Sequence, residues 1–319
     1  MEPNVYIVLV NYNGANDTKE CVDSLLKLNY RNFKILVVDN GSTEASDLNH
    51  QINHPLVTLI KSKENLGFAG ANNLGIRIAL GAGADAVWML NNDTIVTDDC
   101  LKEMVEVLYR EPDTGIVCPK ILYYSQPDTI WFAGGKLNWL KGNTHHIGQH
   151  RNKDMKQETE MDVNFATGCS LLIKREVFHS VGVLREDYFL YYEDTEFCCR
   201  VTKRSYAIKY RSDIIIYHKV SASTSANGLK IYYMTRNNLM FMWRNVNKLV
   251  FLLFMLFFVK KNLTYIKGLF MKVPEPHKNN SRMFLLGCKH FIQGKKGKYK
   301  APIESPKETG QKSGEKAAL

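Results

Sequence analysis

No Cys-x-x-Cys pair and no alternation of Cys with His at zinc-ligand spacing occurs in this sequence. Its seven cysteines, at 21, 100, 118, 169, 198, 199 and 288, are scattered, four of them in apolar runs. That pattern argues against a disulfide framework or zinc finger and predicts core or bystander thiols in a reduced, cytosolic chain. Gly-x-Gly-x-x-Gly is missing after the first apolar run, where NYNGAND stands, which counts against a dinucleotide dehydrogenase; Gly-x-x-x-x-Gly-Lys-Ser/Thr is missing too, which counts against a P-loop nucleotidase. No signal-peptide pattern opens the chain, because Val5 to Val10 is six residues between polar ones. A membrane span needs about 20 apolar residues, whereas LVFLLFMLFFV at 249–259 has eleven.

What is present is 319 residues, 45% of them hydrophobic, enough for one large core or two small ones. Basic residues outnumber acidic ones 42 to 32, and much of the +10 excess lies after residue 240. Nucleic acid, anionic lipid and a phosphate-bearing substrate all fit that charge, so its position has to decide.

The first hundred residues alternate two hydrophobic periods. NVYIVLVNYN, FKILVVDNGS, LVTLIKS and Ala86 to Leu90 read as strands; TKECVDSLLKL, the stretch from Gly67 to Leu80, and Asp98 to Tyr109, capped by Thr97 or Asp98, read as helices. Strand and helix in alternation predict a parallel sheet covered by helices on both faces, with the ligand outside the carboxyl ends of the strands. Those ends are Asn11-Tyr12-Asn13, Asp39-Asn40-Gly41-Ser42 and Asn91-Asn92-Asp93, so their polar residues converge on one crevice.

Each end has a chemical and a plain reading. Asp93, in LNNDT, can hold Mg²⁺ or Mn²⁺ if phosphate and water complete the shell, yet Asn, Asp and Thr also favour turns and helix entries. Asp39 can accept a ribose hydroxyl or a base N–H. In ENLGFAGANNLG, Gly67 lets backbone approach a ligand and the helix start offers N–H groups to a diphosphate, with Asn65 and Asn72 as neighbouring nucleotide-side candidates; the glycines serve close helix–sheet packing equally well.

Taken in order, VLVNYNG (8–14), VVDNGS (37–42), ENLGFAGANNLG (64–75), LNNDT (90–94), ATGCSLLIKREVF (166–178) and YYEDTEFCCR (191–200) resemble the inverting family 2 glycosyltransferases, in particular their rhamnosyltransferase-like branch. The resemblance covers roughly residues 4 to 245. It implies a GT-A fold: an α/β, Rossmann-like, mixed but mostly parallel sheet flanked by helices that binds a nucleoside-diphosphate sugar. It further implies that Asp39 meets the base, that Asn11, with Asn13, lies by the nucleotide, and that Asn91-Asn92-Asp93 stands at the Asp-x-Asp metal place. There Asp93 is the remaining acidic ligand of a divalent cation, Mg²⁺ or Mn²⁺, and His218 completes the shell. The departure at Asn91 leaves one carboxylate where the family pattern has two. By the same resemblance Asp194 is the general base, Glu193 lies close to the acceptor, and Arg236 stands near the leaving diphosphate. An acceptor hydroxyl must lose its proton as it attacks the anomeric carbon, which is the work of such a base. Glu193 and Glu196 compete with Asp194 on sequence alone, as first-turn charges of a helix.

Trp131, Gly134, Gly135 and Gly168 are the acceptor-side candidates, since aromatic faces pack on sugar C–H surfaces, although tryptophans also fill cores. His145, His146 and His150 read as surface residues. Domain limits follow: a catalytic domain at 1–230, with a nucleotide half at 1–115 and an acceptor half at 116–230, a helical segment at 231–292, and a basic disordered tail at 293–319. Lysines flanking 249–259 predict C-terminal amphipathic helices on an anionic membrane surface, at the cytoplasmic face, with a core helix as the alternative. The partners expected are a nucleotide-sugar donor, a glycan or lipid-linked glycan acceptor, that membrane surface and a second copy of the chain, with no nucleic acid. A sugar-nucleotide nucleotidyltransferase is the rival enzyme, though NYNGAND lacks the basic residue such a loop carries. A nucleic-acid or scaffold protein using the basic C-terminus is the non-enzymatic rival.

Overall fold

Val5–Asn11 (β1) is apolar at nearly every position and buried on both faces, as a central parallel strand under helices has to be. In the computed structural model, which describes residues 2–43, 48–220, 228–268 and 274–300, it is followed by helix Ala15–Leu25 (α1), Phe33–Asp39 (β2), the short helix Leu48–Gln51 (α2), Val57–Lys61 (β3), Gly67–Gly81 (α3), Ala86–Asn91 (β4) and Thr94–Val96 (β5). Cys100–Arg110 (α4), Thr114–Tyr123 (β6), Gln126–Phe132 (β7), Gly135–Asn138 (β8), Asn143–His146 (β9), Glu160–Asp162 (β10), Ser170–Lys174 (β11), Arg175–Val181 (α5), Glu193–Lys203 (α6) and Ala207–His218 (β12) complete the body. Gly228–Asn245 (α7), Lys248–Lys261 (α8), Leu263–Lys267 (α9) and Glu275–Ile292 (α10) follow.

The main sheet runs β10-β12-β6-β11-β4-β1-β2-β3, with β5 on β12 and β7 on β6. β4, β1, β2 and β3 are parallel neighbours, whereas β11 is antiparallel to β4 and β6 and joins the two halves. The sheet is therefore parallel where the sequence alternates strand and helix and mixed beyond it. Gly75 explains how tightly one layer lies on the next: a Cβ there would fall 2.5 Å from Val8 Cγ1, so α3 can rest on β1 only with glycine.

Three expectations need correction. α4 is not capped by Thr97 or Asp98; Asp99 is its cap residue and no side chain caps it, because the Thr97 hydroxyl donates to Ile215 O on β12. The expected disordered tail is folded as far as residue 300: Gly297 N donates to Asp187 O at 2.7 Å and Tyr299 N to Tyr233 Oη at 2.7 Å. Residues 301–319 lie outside the described part. His146 is half-buried, edge-on to Trp131 and Phe132, and burial pushes its pKa down to about 4; His145 and His150 are exposed as expected.

The helices after residue 228 share one apolar core with the body, where Tyr188, Tyr192 and Leu137 meet Phe241, Phe254 and Phe284. α8 turns Phe254 and Phe258 inward and leaves Leu249 and Leu256 about two-thirds exposed (67% and 65%), with Leu252, Leu253, Phe257 and Val259 also exposed. Among the described residues no helix is long and apolar enough to cross a membrane.

Candidate active site

The ends of β1 and β2 are laced together. Asn11, fully buried, donates from Nδ2 to Asp39 Oδ1 (3.1 Å) and Ser42 Oγ (3.2 Å), and its Oδ1 accepts from Gly14 N and Thr18 Oγ1. Asn13, at a left-handed φ of 55°, is fixed through its backbone N–H to Ser42 and its side chain to Thr43. Asp39 is half-buried and uses only Oδ1 in these bonds, so that among the described residues no hydrogen bond engages Oδ2.

The loop before α3 departs from expectation. Leu66 N is taken by Asn40 Oδ1, Gly67 N by Asn65 Oδ1 and Phe68 N by Phe189 O. The first N–H groups of the helix are thus spent inside the protein, and a diphosphate cannot claim them. Asn65 closes the loop, while Asn72, 2% exposed, bonds Phe68 O within its own helix. Gly67 is demanded by its φ of 77° and by Phe189 O, which would lie 2.3 Å from any Cβ. Asn40, which sequence reasoning passed over, is the buried bridge from β2 to this loop; its place directly after Asp39 was the available signal.

Beyond β4 the chain turns at Asn92-Asp93 into β5, which pairs antiparallel with the end of β12, Thr94 opposite His218. That pairing brings Asp93 and His218, 125 residues apart, to an Oδ1–Nε2 distance of 3.0 Å, both nearly buried. Trp131 stands edge-on to the His218 ring, 4.6 Å between centroids. Among the described residues His218 Nδ1 is buried with no hydrogen-bond partner. Burial alone would lower the affinity of His218 for a proton, but the adjoining Cys169 and Asp93 prevail and raise it. Asn91 N is held by Cys169 O, and Asn91 itself is half-buried, two residues before Asp93. Asn92 does something else: its amide donates to Thr18 Oγ1 at 2.8 Å and anchors α1. Among the described residues no group of three or more His, Cys, Asp and Glu could enclose a metal by itself. A cation here would rest on Asp93 and His218 and draw its other ligands from a donor and water. The pair fits one: a carboxylate with phosphate and water oxygens suits Mn²⁺ or Mg²⁺, the imidazole favours Mn²⁺ of the two, and 3.0 Å is close to the edge between adjacent ligands at bonds of about 2.1 Å.

Asp194 enters from α6. Its Oδ2 accepts from Gly168 N at 2.9 Å and its Oδ1 from Thr195 N at 2.6 Å. Gly168 is followed by Cys169, whose carbonyl holds Asn91 and whose thiol adjoins His218. Two consecutive residues therefore tie Asp194 to the Asp93–His218 pair. A Cβ on Gly168 would press on the Phe68 ring at 3.0 Å and come within 3.5 Å of Asp194 Cβ, so a bare backbone is needed between these elements. Burial raises the pKa of Asp194 against the hydrogen bonds that favour its charge. Glu193 lies deeper, with Oε2 unpartnered among the described residues, and burial, then Asp194, pushes its carboxyl well above the usual range. Glu196 is withdrawn from the competition by Arg185 and Arg200, at 2.7 and 2.9 Å.

Arg236 is not where a diphosphate would meet it. It is 1% exposed, and its guanidinium donates to Tyr188 O, Gly297 O, Tyr232 Oη and Asn237 Oδ1. Gly134 and Gly135 likewise lie inside the body: a Cβ on Gly135 would sit 2.6 Å from Phe165 O, and one on Gly134 3.2 Å from Val163. Trp131 borders the Asp93–His218 pair, and Trp139 stacks on Phe241 of α7.

Comparison with known proteins gives the family and the fold. A hexosyltransferase of low-salt glycan biosynthesis, Agl10 of Haloferax volcanii, is 27% identical over 64% of this chain, and the match spans 64% of that protein's length. The dTDP-rhamnosyl transferase RfbF of Shigella flexneri is 25% identical over 77% of this chain and 82% of its own. Among solved structures, the mannosyltransferase PcManGT of Pyrobaculum calidifontis, in complex with GDP-mannose and Mn²⁺, superposes with a TM-score of 0.56 at 14% identity, covering 92% of this chain and 88% of that one, and so shares the GT-A fold. The model of glycosyl transferase family 2 matches residues 6–182, which hold Asp39, Asp93 and Gly168 but neither Asp194 nor His218. With more than half of the sequence matched and the polar strand ends gathered on one crevice, the chain belongs to glycosyl transferase family 2.

Proposed function

We propose that this chain is an inverting glycosyltransferase that moves a sugar from a nucleoside-diphosphate donor, dTDP-rhamnose or a UDP-sugar, to a glycan or polyprenyl-linked glycan, with a divalent cation. One observation carries the reading: Gly168-Cys169 joins a carboxylate of raised proton affinity to a carboxylate–imidazole pair fit for a cation. Asp39 Oδ2 accepts from the base or ribose. Asp93 and His218 hold the cation, which when bound neutralises charge on the leaving diphosphate. Asp194 takes the proton of the acceptor hydroxyl as its oxygen bonds to the anomeric carbon and the carbon–diphosphate bond breaks on the opposite side. A single displacement inverts that centre. The names of the rhamnosyl and hexosyl relatives support this donor class. The test is calorimetric binding of UDP, dTDP, GDP and CMP with and without Mn²⁺. One diphosphate bound with metal dependence supports the reading, and no binding by folded protein refutes it.

The same reading places the protein on an anionic membrane at the cytoplasmic face. Leu249, Leu252, Leu253 and Leu256 make a bare apolar stripe on α8, and Lys248, Lys260, Lys261 and Lys267 flank it, the composition of an interfacial helix. Co-sedimentation with phosphatidylglycerol vesicles, weakened by salt and lost in L252E/L256E, is expected. A protein that ignores vesicles but dimerises through this stripe would overturn the assignment.

A further inference from the structure

Phe189, Tyr191 and Tyr192, at φ of 65°, 67° and 73°, all lie in the left-handed region without being glycine, immediately before Glu193-Asp194. Such residues persist only where their surroundings over-determine them. The surroundings are α7. Asn237, fully buried, donates from Nδ2 to Tyr188 O, Leu190 O and Tyr191 O at 2.8–2.9 Å, and its Oδ1 accepts from Arg236 Nε at 2.9 Å. Arg236 Nη2 reaches Tyr188 O at 2.9 Å and Nη1 reaches Gly297 O at 2.7 Å. Gly297 N in turn donates to Asp187 O. The segment after α10 thus closes as a strap over the back of the loop, and Lys298 Nζ extends it to Asn65 O at 3.4 Å, beside the donor crevice.

We propose that Arg236 and Asn237, closed by the strap at Gly297, are positioning residues for Asp194: they impose the left-handed course of residues 189–192 and so fix where the base carboxylate stands. This rests on the reading of Asp194 as the base. The bonds of Arg236 and Asn237 go to the loop, to Tyr232 and to the strap and not to Asp39, Asp93 or His218, so binding and turnover separate when they are changed.

The experiment compares wild type, Asn237→Leu, Asp194→Asn and the double variant for dTDP and UDP affinity with Mn²⁺ and for the rate of donor breakdown, by transfer or by attack of water on the sugar nucleotide that binds. Asn237→Leu lowers kcat about 10–100-fold, the order of loss that a misplacement of about 1 Å brings, with nucleotide affinity unchanged within about twofold. In the Asp194→Asn background the same change costs nothing further, because a residue that acts through Asp194 has nothing left to position. A merely structural role would give additive losses and weaker nucleotide binding, and either result overturns the inference. If Asn237→Leu does not fold, Gly297→Pro takes its place: it removes the N–H to Asp187 at the surface, at a φ of 69° that proline cannot adopt. A smaller loss of kcat alone is then expected, and unchanged kcat refutes the strap's part. Wild type that binds no nucleotide would sink the proposed function itself, which keeps the two failures distinct.

Discussion

Glu193→Gln probes the buried acid pair through the slope of stability against pH. Glu193 is 4% exposed, its Oε2 has no partner among the described residues, and Asp194 is its sequence neighbour, so the folded state keeps it protonated well above the ordinary range near pH 4. The sign follows from proton binding. Once the pH passes the unfolded pKa, the unfolded chain releases this proton and the folded one does not, so the stability that Glu193 contributes is full at low pH and is lost as pH rises toward the folded pKa. The loss runs at about 1.4 kcal/mol per pH unit. Glutamine has no proton to lose, although its amide leaves buried donors unmatched at a roughly pH-independent cost of about 1–3 kcal/mol. The offset between the two proteins is therefore uninformative and the slope decides. Urea denaturation at pH 5, 6, 7 and 8 should show the stability of Glu193→Gln gaining on wild type by about 1.4 kcal/mol with each unit until Glu193 ionises in the fold. Parallel curves across that range would mean that Glu193 is ionised and that the burial argument is wrong.

Asp194→Asn should bind nucleotide as wild type does and transfer about 10²–10⁴-fold more slowly, and turnover within fivefold of wild type would move the base elsewhere. Because burial raises the pKa of Asp194, the acid limb of wild-type kcat/KM should lie above the ordinary carboxylate range, since the base works only when ionised; a limb near pH 4 would contradict this. Asp93→Ala and His218→Ala should each lower the Mn²⁺-dependent part of nucleotide affinity by roughly tenfold or more, with the metal-free affinity kept; calorimetry that finds no change would remove the cation from the pair. Gly75→Ala, whose Cβ meets Val8 at 2.5 Å, should cost about 1–3 kcal/mol, read as a lower denaturation midpoint with nucleotide affinity unchanged in protein that stays folded.

How far a residue's role was legible depended on whether its partners were near in sequence or in pattern. β1, β2 and β4 announce themselves because each is buried on both faces and reads as an unbroken apolar run, and their polar ends follow once the strands are parallel. Asp93 was legible for that reason. Its meeting with His218 was not, since it depends on β5 pairing antiparallel with a strand 125 residues away, and only the resemblance supplied it. Arg236 shows the opposite case. The resemblance sets it near the leaving diphosphate, whereas what it meets, backbone carbonyls at 188 and 297, leaves no trace in side-chain identity. Asn65 and Asn72 misled in the same way, for an asparagine that closes a loop is written like one that faces a nucleotide. The family match ends at residue 182, before the left-handed loop, Asp194 and α7. The matched part thus holds Asp39 and Asp93, while the placement of Asp194 depends on contacts between a loop and a helix that no local pattern encodes. If that division is physical, substitutions in α7 change turnover without changing the nucleotide bound, and substitutions at Asp39 do the reverse.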